Sequence, residues 1–267
     1  MISAIDAGNY ETKFFAGREL KKFPSVLGFD YRDRNIRDHY GEYDFEWEYR
    51  GQRGFAGTLA LYESECAESQ KGETKAHPDA RLRILIALHQ FADGIEHNIV
   101  VGQPISKHNE IEKKAIKDML LGRHDLTVNG KGKTIVVRRC EVAAEGVTAG
   151  LLVTSSGVVR VIDVGSGTVN LGTLINRRLN DLSSYTLPSG METMRNMQAD
   201  AFARQIALKA IGLKWGKDDA VYICGGGSTQ LFEPLRAYFP LIGLLDTDSQ
   251  FCNVRAFYMI ARKIYEG

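Results

Sequence analysis

One pattern constrains this chain more than any other: an apolar, β-branched run that stops at an aspartate and turns on glycine. The run Val158-Val159-Arg160-Val161-Ile162 leads into Asp163-Val164-Gly165-Ser166-Gly167-Thr168-Val169-Asn170. The run reads as a buried strand, Gly165 and Gly167 supply the turn, and residues 168–175 read as a second strand returning beside it. Such a tip suits a phosphate. Glycines let backbone N–H groups converge on an anion, Ser166 and Thr168 add hydroxyl donors, and Asp163 is placed to hold a metal ion or water beside the phosphates. Taken alone, the same residues also describe a plain hairpin turn.

The plan recurs at the start of the chain, where Ile2-Ser3-Ala4-Ile5 ends in Asp6. A turn follows through Gly8 and Asn9, and a second strand leaves at residues 12–16. Asp6, Gly8 and Thr12 thus stand as counterparts of Asp163, Gly165 and Thr168. Two such hairpins in the two halves of one chain imply a duplicated architecture with a ligand between them. A third glycine turn follows the strand-like Ala220-Val221-Tyr222-Ile223-Cys224, in which Gly225-Gly226-Gly227 leads to Ser228, a candidate cap for a helix starting at Thr229. A glycine loop there permits close approach of a base or ribose, and equally describes a tight strand-to-helix connection.

The remaining segments fill in the two halves. Residues 18–60 alternate aromatic with charged side chains, notably over 43–49, and read as a hairpin or small sheet with one wet face. They belong to a small inserted subdomain, about residues 29–75, whose aromatics either mark a protein contact or pack a subdomain too small for a larger core. Helical spacing is expected over residues 79–90 and 109–121, and a hairpin turns on Asn129-Gly130. Glu145 stands at a strand-to-helix junction, where a carboxylate either favours the helix N-terminus or orients an attacking water. Residues 191–211 read as one long amphipathic helix with its methionines as core filler. The domains are expected at residues 1–150 and 151–267.

Composition removes several function classes. With 44% hydrophobic and 25% charged residues, the 267-residue chain is an ordinary globular protein able to bury one large or two modest cores. A formal charge of +1 gives no reason to bind DNA directly, so any role on DNA calls for an adaptor. The four cysteines form no C-x-x-C pair and read as buried free thiols of a reducing compartment; the six histidines lack metal-ligand spacing and read as solvated or core-edge residues. Without a signal peptide or a membrane-length apolar run, a cytoplasmic location is expected.

In order and separation, the three glycine-bearing turns resemble the phosphate-1, phosphate-2 and adenosine motifs of the superfamily of actins, heat-shock chaperones and sugar kinases. Residues 5–13, residues 142–150 and Asn253-Val254-Arg255-Ala256-Phe257-Tyr258 resemble the plasmid-segregation actins of the ParM group. Only about sixty residues separate Asp163 from Gly225, too few for the small subdomain (IIB) usually inserted in the second half, so the chain is similar to a compact member of that group. The loss removes one wall of the usual cleft, and Asn170 stands where the phosphate-2 pattern often has Asp.

The resemblance implies an α/β actin-like fold of two ribonuclease-H-like domains around a nucleotide cleft. It implies an ATPase with ATP or ADP and Mg2+ as ligands. Asp6 and Asp163 would hold the hydrated metal. Gly8, Asn9, Tyr10, Thr12 and Lys13, with Gly165, Ser166, Gly167 and Thr168, would cradle phosphates. Gly225, Gly226, Gly227 and Ser228 would meet the nucleoside, and Glu145 would orient water, so that Glu145, Asp163 and Asp6 form the catalytic set. The implied partners are further copies of the chain in a head-to-tail filament, and a DNA-binding adaptor on a centromere-like plasmid site, with no direct DNA contact and no membrane. The alternatives are a sugar-type kinase, for which the short second half leaves little material, and a nucleotide-gated binding module, for which a peptide-binding domain is lacking.

Overall fold

The structure is a computed structural model that describes residues 1–34, 41–68 and 74–267. The expected insertion at 29–75 therefore lies partly outside the described residues. The chain divides into two compact units, one formed by Met1–Val101, Glu110–Val142 and Ile260–Gly267, the other by Gly102–Asn109 and Ala143–Met259.

The first unit opens with β1 (Ile2–Ala7), β2 (Glu11–Phe15), β3 (Leu20–Pro24) and β4 (Leu27–Gly28), then β5 (Asp44–Tyr49), β6 (Gln52–Gly57) and the short helix α1 (Thr58–Glu63). It continues through α2 (Pro78–Phe91), β7 (Glu96–Gln103), α3 (Glu110–Leu120), β8 (Gly122–Val128) and β9 (Lys131–Ala144). Among the described residues its sheet runs β3-β2-β1-β7-β9-β8-β5-β6-β4. The β8–β9 hairpin turns on Asn129 and Gly130, both at positive φ, the conformation a two-residue primed turn demands. α2 offers Leu82, Leu85, Ile86 and Leu88 to the core that holds Ile5, Phe14 and Phe23.

The alternating 43–49 segment differs from its expected form. Phe45, Trp47 and Tyr49 are buried, and β5 pairs with β8, so this hairpin continues the large sheet instead of forming a separate one. Its aromatics are core: Phe45 meets Phe23 edge-on at 5.3 Å, and Trp47 Nε1 donates to the Phe55 carbonyl at 3.0 Å.

The second unit contains β10 (Val158–Val164), β11 (Val169–Ile175), β12 (Arg178–Leu179), β13 (Tyr185–Leu187), α4 (Ala199–Gly212), β14 (Val221–Cys224), α5 (Ser228–Arg236), β15 (Gly243–Leu244) and the start of α6 (Cys252–Tyr265). Its sheet runs β12-β11-β10-β14-β15, with β13 also on β11. β10 is mostly apolar, apart from Arg160 and Asp163, because both its faces are covered. Ile162 and Val164 pack with Phe202 and Ile206 of α4 and with Leu231 of α5, while Val159 and Val161 pack with Val147 and Ala149 on the opposite face.

The long helix expected over 191–211 begins only at Ala199. Before it, the Met191 and Glu192 N–H groups donate to the Gly165 and Ser166 carbonyls, and Gly190 lies so close to Ser166 that a Cβ would sit 2.5 Å from its backbone. The periodicity over 191–197 therefore reflects methionines that line the second core from a run of turns.

Cys140, Cys224 and Cys252 are buried free thiols as expected, but Cys66 is exposed. His77, His97 and His124 are buried, more deeply than a core-edge reading implies. Among the described residues no helix is long and apolar enough to cross a membrane, and no group of three or more His, Cys, Asp or Glu gathers to hold a metal.

Candidate functional site

The two glycine hairpins share one register. Asp6 pairs with Lys13 across β1–β2, and Asp163 pairs with Asn170 across β10–β11, seven residues on in each case. In each unit the aspartate-bearing strand also runs parallel to a second strand, β1 beside β7 and β10 beside β14. Gly8 and Gly165 are equivalent by this register, and both are needed for the same reason. A Cβ would come within 2.7 Å of the Glu11 carbonyl oxygen in the first hairpin and 3.0 Å of the Thr168 carbonyl oxygen in the second. The duplication inferred from the residues is thus repeated in pairing and turn geometry.

The threonines are not equivalent. Register aligns Thr168 with Glu11, and Thr12 with Val169. Thr12 is fully buried inside β2 and donates to Ser25 Oγ at 2.8 Å, because Ser25 itself donates to the Gly8 carbonyl at 2.6 Å. Asn9 is half-buried and Tyr10 exposed at the turn, Lys13 is half-buried, and Asp6 is buried at the strand end. Lys75, to which sequence reasoning assigned no role, is buried beside this turn. Its Nζ donates to the Ala7 carbonyl at 2.9 Å and to Asn9 Oδ1 at 3.4 Å.

In the second unit Gly165, Ser166, Gly167 and Thr168 are all half-buried at the hairpin tip, closed by a Gly165 N–H to Thr168 carbonyl bond of 2.9 Å. Asp163 is buried just below, and its Oδ2 accepts from Asn253 Nδ2 at 3.0 Å and from Asn170 Nδ2 at 3.5 Å. Asn170 is steadied in turn by Thr186, whose hydroxyl donates to its Oδ1 at 2.8 Å. The Cys224 thiol, 3.8 Å from Asp163 Oδ1, is held well above the usual thiol range, first by its hydrogen bond with Cys252, then by burial and the neighbouring carboxylate.

Glu145 follows β9 directly and is also buried. Its N–H donates to the Gln103 carbonyl at 2.9 Å, and its own carbonyl accepts from Val147 N at 2.8 Å. With Gly146 between them at φ 74° and ψ −67°, this is a γ-turn of the rare hand, which glycine adopts without the steric cost a side chain would meet, opening into a short 3-10 helix at Val147–Leu152. Only glycine fits. A Cβ on Gly146 would lie 2.6 Å from Asn170 Cβ and 3.1 Å from Asp163 Cβ. The Gly146 N–H is taken by Asn253 Oδ1 at 2.9 Å.

The third glycine turn owes two of its glycines to internal packing. Gly225, at φ +88°, would place a Cβ 2.4 Å from the Val164 carbonyl oxygen and 2.6 Å from Asp163 Oδ1; one on Gly227 would meet Val164 and Met191. Gly226 alone is exposed, with open space where a side chain would stand. The expected Ser228 cap is replaced by another arrangement. α5 starts at Ser228 itself, and the buried Ser228 hydroxyl shares a 2.6 Å hydrogen bond with Ser249 Oγ, while the Ser249 carbonyl accepts from Gly225 N at 3.0 Å. The second unit thus gathers Glu145, Asp163, Asn170, the β10–β11 tip and the glycine loop.

The family model of the actin-like proteins N-terminal domain matches residues 4–147, more than half of the chain. The chain belongs to the actin-like protein family. None of the curated proteins compared with this actin-like protein matches it. Among solved structures, an AlfA filament bound to AMPPNP superposes with a TM-score of 0.80 at 22% identity, covering 100% of this chain and 98% of that one. A second AlfA filament structure, from a B. subtilis plasmid, pLS32, gives 0.79 at 21% identity, with 100% and 99% covered. The apo ParM protein of psk41 gives 0.80 at 16% identity, with 99% and 98% covered. The archaeal actin homologue Ta0583 in complex with ADP gives 0.79 at 18% identity, with 98% and 99% covered. The fold is therefore actin-like over the whole chain. The expected AlfA- and ParM-like architecture stands, and the compact size fits a reduced second domain.

Proposed function

We propose that this actin-like protein is an ATPase that polymerises into nucleotide-dependent filaments and segregates plasmid DNA. The observation that carries the reading is the shared register of the two hairpins, each with a buried aspartate at the strand end and a glycine tip above it. The AlfA structures support it, one being a filament bound to AMPPNP and the other a filament of a plasmid-derived protein. Ta0583 with ADP supports a nucleotide as ligand.

Hydrolysis of a phosphoanhydride asks the protein for positioning and charge stabilisation more than for covalent chemistry. Backbone N–H groups and hydroxyls of Gly165, Ser166, Gly167 and Thr168 hold phosphate oxygens, and Gly8, Asn9, Tyr10, Thr12 and Lys13 serve the same end at the first hairpin. For Thr12 this service is indirect, because its hydroxyl steadies the Gly8 carbonyl through Ser25. Gly225 to Ser228 meet the nucleoside, with Gly226 as the glycine that has open space above it. Glu145 accepts a hydrogen bond from the attacking water and so orients it. The donor chemistry fits Mg2+, since Asp6 and Asp163 offer hard carboxylate oxygens and this ion keeps most of its waters around one or two carboxylates. Bound there through water, it would neutralise charge on the phosphates.

Filament subunits add head to tail through an open heterologous contact, and a DNA-binding adaptor on a centromere-like plasmid site supplies the link to DNA that a charge of +1 does not. Electron microscopy and pelleting with and without ATP, alongside phosphate release, test the proposal. Filaments that appear with ATP, with phosphate released in the absence of any acceptor, are expected. A protein that stays monomeric across salt and nucleotide conditions sinks the filament reading, and sugar-dependent ADP formation points to a kinase.

A further inference from the structure

One buried polar tie of the second unit is made by a residue outside every glycine motif. Asn253, in the first turn of α6 and 9% exposed, spends both ends of its amide on the candidate site. Its Oδ1 accepts from Gly146 N at 2.9 Å and its Nδ2 donates to Asp163 Oδ2 at 3.0 Å. The orientation of the amide is dictated by its neighbours. A backbone N–H faces one end and demands an oxygen; a carboxylate faces the other and demands a donor. No other side chain of this size serves both. Aspartate would set an acceptor against Asp163, and leucine would leave two buried polar groups unpaired.

We propose that Asn253 is a positioning residue for the reaction, fixing the Glu145–Gly146 turn and the Asp163 carboxylate to one another through a single amide. The inference rests on the catalytic roles proposed for Glu145 and Asp163. Three features make it more than a packing contact. The Gly146 turn spends the Glu145 carbonyl and the Val147 N–H on its own closure, and the Asn253 bond is made at the buried N–H between them. The amide sits where α6 begins, so a helix N-terminus favours the negative carboxylate it contacts. The second amide on Asp163, that of Asn170, reaches the same Oδ2 only at 3.5 Å, which leaves Asn253 as the shorter of the two restraints. Charged and titratable neighbours of the tie are Glu145, Asp163, Cys224 and Cys252.

The test is steady-state ATP hydrolysis by full-length Asn253→Ala and Asn253→Asp, with melting curves as the check of folding, and a cycle with Asp163→Asn. A charge-assisted hydrogen bond that holds a catalytic group predicts a fall in kcat on the order of tenfold to a hundredfold, with KM for ATP within about threefold. Asn253→Asp keeps the acceptor for Gly146 but replaces the donor to Asp163 with a carboxylate that repels it, so where the alanine variant folds poorly it reports that half of the tie and is expected to lose at least as much kcat. In the Asp163→Asn background the alanine substitution is expected to cost less than about threefold further, because both changes break one unit. Wild-type kcat in either folded variant, or an equal loss in both backgrounds as a merely structural defect would give, overturns the proposal. A wild-type protein that releases no phosphate refutes the ATPase reading and this inference with it; an active wild type with unaffected Asn253 variants refutes this inference alone.

Discussion

Lys75 Nζ donates to the Ala7 carbonyl oxygen at 2.9 Å, joining residues 68 apart in sequence. The ammonium is buried, and it also reaches Asn9 Oδ1, so one cation steadies both the end of β1 and the side chain at the turn. Replacing Lys75 with alanine leaves the Ala7 carbonyl without that charge-assisted bond, at a cost of about 1.5–3 kcal/mol. A lowered melting temperature is expected, together with roughly tenfold weaker binding of a fluorescent ATP analogue in equilibrium titration. Unchanged melting and affinity would show that the contact holds nothing in place.

Gly146→Ala forces a β-carbon into the space of Asn170 Cβ at 2.6 Å and into a backbone region that L-residues rarely adopt. The backbone term alone is about 1–3 kcal/mol, and the neighbours are strand residues that cannot swing away. Chemical denaturation should therefore show a loss of at least about 2 kcal/mol, with hydrolysis falling further than stability because the displaced residues are Asn170 and Asp163. A variant as stable as wild type would mean that the turn relaxes freely.

Two buried histidines make stability depend on pH. His77 and His97 are each held down to about 4, in both cases chiefly by burial and secondarily by nearby positive charge, that of Arg83 for His77 and of the chain's N-terminus for His97. Arg83 is itself fully buried and lowered to about 10 by desolvation. The unfolded chain binds protons on these imidazoles near pH 6.5 while the fold resists until about pH 4, so stability is full above pH 6.5 and is lost as pH falls toward 4. Each contributes on the order of 2–3 kcal/mol over that interval. Protonation also costs His77 the Nδ1 lone pair that caps α2 by accepting from Ala80 N at 3.2 Å. His77→Asn keeps a capping oxygen without titrating; its melting temperature should change little at pH 7.5 and should fall less steeply than wild type between pH 6.5 and 5. Parallel curves for the two proteins would assign the acid sensitivity elsewhere.

How much of this was legible in the sequence depended on the range of the contact. The β10 run, the Asp-x-Gly turns and the Asn129-Gly130 hairpin are local, and the residues alone place them. The reach of Asn253 to Gly146 spans 107 residues and that of Lys75 to Ala7 spans 68, and neither leaves a trace in periodicity. Helical spacing misled at 191–197, where backbone groups bond to the β10–β11 tip, and the alternation at 43–49 marked a hairpin with one wet face but not its pairing with β8 in the large sheet. Ser228 followed the rule for a helix cap but lies one residue inside the helix, where Ser249 claims its hydroxyl. Glycine was read correctly as a marker of special backbone, yet for Gly8, Gly165 and Gly227 the reason is close approach and not positive φ.

The proposed chemistry separates binding from bond breaking, and two variants separate them in solution. Glu145 and Asp163 are both buried below the β10–β11 tip, whose own N–H groups and hydroxyls are untouched when either side chain is shortened. Glu145→Ala removes the acceptor proposed to orient water, and Asp163→Ala removes a carboxylate that would face a hydrated ion, so each is expected to slow phosphate release by about a hundredfold or more. On the proposed reading, assembly needs nucleotide bound, not split. Both variants should therefore still pellet with ATP, and their filaments should persist or lengthen because the step that weakens the lattice is blocked. Phosphate release and pelleting measured on the same samples decide the matter: wild-type turnover in both variants removes these residues from the chemistry, and loss of assembly with turnover intact reverses their proposed roles.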